Sequence, residues 1–562
     1  MSTGSAAIRQ PLPSLRWRRL PVAIVTALRA ALRWETFLGL LYLSLGGYFV
    51  SAQAIMGDAV SRVQIARGVI QSFDPAAPHF LSFTLHGSAI GFIWGPLVSL
   101  LEIPLVAMGG LFPWLAKDAY AAVIVSSLFA VWGTVQFNRL LSERGLERRW
   151  TVALTAGFAL NPFIIIYASN GMSEVPYMAL LLATARRLSL WQRDRRTSDL
   201  ALAGLWLGLA YLIRYEPVAA ALATCAFVVA ATLAREVGAN RKRIRVAVAN
   251  GLIVLVPIVF FAVSFSAISW WITGQALQQL ASQYGFAAQN GHIVGAVGIR
   301  VATVSKQLLE IAPVLPVIVP LAAAIQYAYR RTLVPVLCVV IAPPLLFDLL
   351  EISQIKALDL TRYLILAIPL IILMLSVLRD WGNIGLGFAV TGVLAMAASA
   401  WALTSQQSLA PQEYQYHRAL TGQPVGNYAD LSMEAPRQIA TWLDAQKLPP
   451  GSILTDLTQA FPILLETDKP TRFVTPPYQG FWADLSAPYQ HRIRYLITVN
   501  PVDAGSPDAI NLYYPGLWEG CVNSTQLVLA VDGVAAVKQW RIYRILAPIT
   551  PSSIRYDGKC TL

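Results

Sequence analysis

The sequence predicts a polytopic α-helical membrane protein of about eleven transmembrane helices with a C-terminal extracytoplasmic α/β domain. Three observations lead there. The chain is 56% hydrophobic and only 13% charged, with mean hydropathy +0.55, whereas soluble domains are about 25% charged. Apolar runs of the roughly 20 residues that a helix needs to cross hydrocarbon recur up to about Leu403. Beyond it the charge becomes ordinary and the apolar runs turn short and alternating. The net charge of +13 is no nucleic-acid signal. The arginines sit in short clusters between apolar runs, where they set topology and meet anionic lipid headgroups.

The chain begins with a basic segment, 1–35, containing "RQPLPSLRWRRLP". No small-residue cleavage pattern follows the first apolar run, so no cleavable signal peptide is expected. Residues 21–34 read equally as an interfacial amphipathic helix or a loosely ordered basic tail. Arg16, Arg18 and Arg19 place the N-terminus in the cytoplasm. The first span, 36–54, then delivers Asp58 to the outer face. The apolar stretch 91–112 is not counted as a span. Counting it would put the basic cluster "NRLLSERGLERRW" outside, against the positive-inside rule, and Pro96, Glu102, Pro104 and several glycines weaken it. It is expected within a membrane-hugging outer loop, 57–117.

Ten further spans follow by alternation, at 118–139, 150–168, 174–190, 199–213, 217–234, 246–272, 309–328, 333–350, 362–378 and 384–403. A second long outer loop lies at 273–304. Every strongly basic loop then falls inside, and the membrane domain covers 36–404. In the tail, 405–562, the runs "GSILTDL", "RIRYLITV", "TQLVLAV" and "QWRIYRIL" read as strands. "APRQIATWLDAQKLPPG" reads as an amphipathic helix closed by Pro-Pro-Gly. Cys225 and Cys338 lie in spans and read as small apolar residues. Cys521 and Cys560 are the only pair in the tail, a candidate disulfide in an oxidising compartment.

The outer ends of the spans gather ionisable side chains. Asp58, Arg62 and Arg67 follow the first span, Glu174 opens the fourth, and Arg214 and Glu216 follow the fifth. His292 lies in the second long loop, and Asp348, Glu351, Lys356, Asp359 and Arg362 flank the ninth and tenth spans. Such groups are costly at that depth and usually face a cavity or a partner. Cations and carboxylates around one vestibule suit an anionic lipid headgroup held by the cations, with one carboxylate left as a base. Plainer readings exist: Arg62 and Arg67 as interface snorkels, Arg214–Glu216 as a local ion pair, Glu102 as a buried, paired structural acid, and His292 as a polar loop residue. Asp58 and Arg362 resist them best, since each sits where a span meets the outer leaflet.

Four segments carry a resemblance. "GDAVSRVQIARGVI", "NPFIIIYASNGMSEVPYMALLL", "LGLAYLIRYEPV" and "TRYLILAIPLIIL" resemble the GT-C superfamily of integral-membrane glycosyltransferases, in the branch with protein mannosyltransferases and the lipid A aminoarabinose transferase. The resemblance covers nearly the whole chain, and it is the order of the motifs that makes it specific. It implies an enzyme of the plasma membrane that takes a sugar from a polyprenyl-phosphate donor and passes it, with inversion, to a glycan, lipid or protein acceptor. It implies that Asp58 is the general base, that Glu174 helps to bind substrate or a metal, and that Arg362, followed by Tyr363, grips the donor phosphate. Many relatives carry a paired acid in the first loop. Here Ala59 follows Asp58, so no cofactor is assigned and a divalent metal is left open. The rival readings are a transporter or flippase of lipid-linked sugars and a non-catalytic glycan-binding relative. Transporters typically keep functional charges near the midplane and often show internal repeats; this chain shows no clear repeat, and its charges crowd one face.

Overall fold

The computed structural model describes residues 22–55, 57–72, 95–235, 239–277, 297–329, 333–353, 361–423, 425, 433–476, 478, 480–501, 508–532 and 539–549. The first helix runs unbroken from Val22 to Ser51. It joins the basic segment to the first expected span, which the sequence separates. It lies close to its neighbours because Gly46 has no side chain: a Cβ there would sit 2.8 Å from the Ser169 carbonyl oxygen.

Two short helices occupy the region expected as a loop. Gly57–Ser72 buries Ala59, Val60, Val63 and Ala66 along one side. Leu97–Ala107 packs against it and continues as a 3-10 turn, Met108–Gly110. At 1.5 Å per residue these two pieces reach roughly 21 Å, short of the roughly 30 Å hydrocarbon core. Residues 91–94 lie outside the described ones.

This is a multi-pass membrane fold. Among the described residues five helices are long and apolar enough to cross a bilayer, or up to seven if two bent pairs each count as one. Helix occupies each of the eleven expected stretches, but not as eleven straight spans. Thr197–Tyr211 has only 15 residues, and Glu174–Asp194 carries Arg186, Arg187 and Arg193 in its second half. The expected span 150–168 is bent by 58° between Ala159 and Pro162. Pro162 has no N–H to continue the ladder, and the Asn161 side chain caps the new helix by accepting from the Phe163 amide at 3.1 Å. The expected span 309–328 is likewise two helices, bent by 73° across residues 312–314. Pro313 breaks it there, since its ring excludes a helical hydrogen bond. The interior of the bundle is the first half of Glu174–Asp194 together with the buried stretch Leu364–Leu378.

The C-terminal part carries a five-stranded sheet of order β2-β1-β3-β5-β4. Its strands are β1 (Ile453–Leu454), β2 (Phe473–Val474), β3 (Tyr495–Val499), β4 (Thr525–Val531) and β5 (Trp540–Ile545). β1 pairs parallel with both β2 and β3, whereas β5 pairs antiparallel with β3 and β4. All four runs read as strands hold one. Helix Glu434–Ala445 fills the stretch read as amphipathic and packs Ile439 and Leu443 on one face of the sheet. Phe481, Ile510 and Tyr514 cover the other. β3 is buried at all five residues, as a central strand covered on both sides is.

This sheet-bearing part is fastened to the helix that carries Asp58. Arg67 donates to the Leu465 carbonyl, so Arg67 is a fastening rather than an interface snorkel. Arg437 Nη2 donates to both Asp118 and Glu466 at 2.9 Å. The Gln53 side chain accepts from the Met433 amide at 2.7 Å.

Candidate active site

Asp58 stands in the first turn of helix Gly57–Ser72, where the positive end of the helix dipole favours a carboxylate. Arg362 stands in the 3-10 turn Thr361–Leu364, which opens the last apolar stretch. The fold brings the two together: Arg362 Nη1 donates to Asp58 Oδ2 at 2.8 Å. Behind them lies Glu174, the first residue of its helix, whose Oε1 is 3.6 Å from Arg362 Nε and 3.3 Å from Arg214 Nη1. Arg214, in the turn between Thr197–Tyr211 and Pro217–Arg235, donates through Nε to Glu216 Oε1 at 2.6 Å. The result is a chain of alternating charge, Asp58–Arg362–Glu174–Arg214–Glu216.

Tyr363 lies beneath two of the cations, with the Arg214 and Arg362 guanidinium carbons 5.1 and 5.4 Å from its ring centre. Tyr177 takes Arg214 at 5.7 Å. Cation–π contacts of this kind hold a desolvated guanidinium without neutralising it. Arg62, one helical turn beyond Asp58, donates through Nη2 to Ser173 Oγ at 3.0 Å. The Tyr215 hydroxyl donates to Glu351 at 2.9 Å.

Exposure ranks the carboxylates. The Asp58 side chain is 22% exposed, against 3% for Glu174 and 0% for Glu216. Asp58 is therefore the most accessible of the three acids, and the other two are buried against arginines. Burial pulls the Arg62 guanidinium below its ordinary pKa, against the attraction of Asp58, Glu174 and Glu102. Glu102 is fully buried on helix Leu97–Ala107, and neither of its oxygens has a hydrogen-bond partner among the described residues. Burial pushes its carboxyl well above the usual range, opposed by Arg62. Among the described residues the charge that offsets this burial is that of Arg62.

His292, Lys356 and Asp359 lie outside the described residues. Cys521 is disulfide-bonded, and Cys560 lies outside the described residues. Among the described residues no three His, Cys, Asp or Glu side chains are grouped to hold a metal ion, and Asp58 and Glu174 turn oxygens toward arginines. The described donors do not fit the divalent metal left open by the sequence.

No family model matches the chain, and no curated protein matches it. Among solved structures, ArnT from Cupriavidus metallidurans bound to undecaprenyl phosphate superposes with TM-score 0.53 at 14% identity, over 91% of this chain and 98% of that one. The chain has the GT-C fold. Two further GT-C structures are similar over much of its length. The Archaeoglobus fulgidus oligosaccharyltransferase has TM-score 0.45 at 13% identity, over 87% of this chain and 71% of that one. The mycobacterial arabinofuranosyltransferase AftD has TM-score 0.45 at 16% identity, over 92% of this chain and 42% of that one.

Within this GT-C fold six of the residues expected from sequence meet in one cluster with Asp58: Arg62, Glu174, Arg214, Glu216, Arg362 and Tyr363. Sequence reasoning did not single out Ser173, Tyr177, Tyr167 or Glu413. Ser173 and Tyr177 were findable, since they lie beside and one turn beyond Glu174 on its helix. Glu413 was not. It follows the last apolar stretch in ordinary polar sequence, yet it is buried and accepts from the Tyr167 hydroxyl within the bundle.

Proposed function

We propose that this protein is a glycosyltransferase that moves a sugar from a polyprenyl-phosphate donor to an acceptor at the outer face of the membrane. Transfer inverts the anomeric centre, and Asp58 is the general base. The observation that carries the reading is the juxtaposition of Asp58, the exposed acid of the cluster, with Arg362, a buried cation suited to phosphate. The GT-C fold supports it: ArnT was solved with undecaprenyl phosphate bound. In this reading residues 405–562 form an extracytoplasmic α/β domain, and the acceptor is a glycan, lipid or protein.

The chemistry follows from the residues. The acceptor hydroxyl gives its proton to the Asp58 carboxylate while its oxygen attacks the anomeric carbon from the face opposite the phosphate. The bond from that carbon to the phosphate oxygen breaks, and its electron pair leaves with the polyprenyl phosphate. The leaving group gains one negative charge, which Arg362 meets and Arg62 and Arg214 stabilise from nearby. Fixed cations at a developing charge in a poorly solvated site need no reorganisation during the step. Guanidinium groups also match phosphate oxygens in geometry.

The test is transfer of radiolabelled sugar from undecaprenyl-phosphate-sugar to envelope acceptors by the purified protein in detergent. Detergent allows no gradient across a membrane, so a transporter gives no transferred label there, and neither does a non-catalytic glycan-binding relative.

A further inference from the structure

Asp58 and Arg362 engage each other through one contact, Nη1 to Oδ2 at 2.8 Å. The carboxylate keeps other lone pairs and the guanidinium other N–H groups, but the pair holds the Asp58 charge against the guanidinium that the donor phosphate would use. The two ends of this pair are not equally fixed. Arg362 is only 7% exposed, and its Nε stays 3.6 Å from Glu174 Oε1, with the Tyr363 ring 5.4 Å from the guanidinium carbon. Those two contacts lie on the buried side and survive if Nη1 turns away. Asp58 is 22% exposed and stands on the first turn of its helix, so water can solvate its carboxylate when it leaves Arg362.

We propose that the Asp58–Arg362 ion pair is a latch opened by the donor: the donor phosphate takes Nη1 of Arg362 and releases the Asp58 carboxylate from its cation, to serve as base for the acceptor. This rests on the reading of the site as a polyprenyl-phosphate-dependent transferase and adds an order to it, donor before acceptor activation. The latch keeps the base masked in the donor-free protein. A phosphate also replaces one anion by another beside Arg362, so the buried guanidinium is never left without a counter-charge, the arrangement that costs most in a low-dielectric site. Glu174 and Arg214 are the fixed frame against which the exchange occurs.

The consequence has a definite sign. Phosphate and Asp58 compete for one guanidinium, so part of the donor's intrinsic affinity is spent in opening the latch. Apparent affinity is scaled by the fraction of molecules already open, so a pair closed about nine-tenths of the time weakens binding about tenfold. Removing the Asp58 charge should therefore tighten binding of the very ligand whose turnover it abolishes.

The experiment measures binding of undecaprenyl phosphate to the purified full-length protein in detergent, for wild type, Asp58→Asn, Arg362→Gln and the double variant. The expected result is that Asp58→Asn binds about tenfold tighter, that Arg362→Gln binds more weakly than wild type, and that Asp58→Asn has no effect in the Arg362→Gln background. Equal tightening in both backgrounds overturns the latch, since simple repulsion between Asp58 and phosphate would then suffice. Unchanged or weaker binding by Asp58→Asn, with wild type binding normally, overturns the latch and leaves the transferase reading standing. Absence of binding in wild type and Asp58→Asn alike overturns both.

Discussion

Arg362 Nη1 and Asp58 Oδ2 are 2.8 Å apart across 304 residues of sequence. The first helix after Val22–Ser51 and the turn that opens the last apolar stretch thus meet at a single ion pair. Glu174 and Arg214 extend it inward, so the loss of one charge is felt along the line.

Glu174 is the junction of that line, facing Arg362 at 3.6 Å and Arg214 at 3.3 Å. Glu174→Ala should destabilise the fold by roughly 3–5 kcal/mol, the usual result of leaving a buried ion pair half made. A fall in the detergent melting temperature checks it, and a melt like that of the wild type would mean the arginines find other partners.

Arg362→Ala should weaken binding of undecaprenyl phosphate by roughly 1.5–3 kcal/mol, the range for a hydrogen bond to a charged group. Calorimetry or a lipid-binding assay reads this directly. An unchanged affinity would place the phosphate elsewhere.

The sheet-bearing part should lose stability as pH rises. Burial, aided by the neighbouring Asp456, pushes the Asp508 carboxyl up to about 8, from about 3.9 in an unfolded chain. A raised folded pKa means that the folded state holds the proton longer. Its stabilising contribution is full below the unfolded value and is lost as pH climbs through the folded one. Hydrogen exchange in β3 and in helix Ala509–Tyr513 should therefore quicken between about pH 4 and pH 8 beyond its intrinsic base dependence. Asp508→Asn should flatten that trend while keeping the cap to the Ile510 amide, which Asp508 accepts at 3.0 Å. An equally steep trend in the variant would clear Asp508 of the effect.

The placement of the tail is open to a chemical check. A membrane-impermeant thiol reagent on intact cells should label neither Cys521 nor Cys560 until reductant is added, if the two are paired outside the cytoplasm. A reporter fused after Lys117 should read as outside. Labelling without reductant removes the pairing, and a cytoplasmic reporter signal removes the topology.

Much of this was legible because charge beside apolar sequence is rare enough to stand out. Asp58, Glu174, Arg214, Glu216 and Arg362 each abut an apolar run, and each entered the cluster. What a single sequence cannot carry is the pairing. Nothing local to Arg362 says that its partner is Asp58, because contacts across 304 residues follow from how helices pack. The bends were half legible. Asn161-Pro162 and Pro313 are breakers, but a hydropathy window averages across them and returns straight spans. Glu102 was legible as buried, since burial follows from an apolar helix face, whereas its relation to Arg62 was not. The strands emerged from the short apolar runs except β2, whose two residues lay in no run that stood out.

The central claim is that Asp58 accepts the acceptor's proton, and the rate of sugar transfer by Asp58→Asn tests it most directly. Asparagine keeps the size and much of the hydrogen bonding but takes no proton. With saturating polyprenyl-phosphate-sugar in detergent, the account expects turnover to fall about 10²–10⁴-fold, the usual worth of a general base, while undecaprenyl phosphate still binds. Turnover close to that of the wild type would contradict it and leave Asp58 as a structural partner of Arg362.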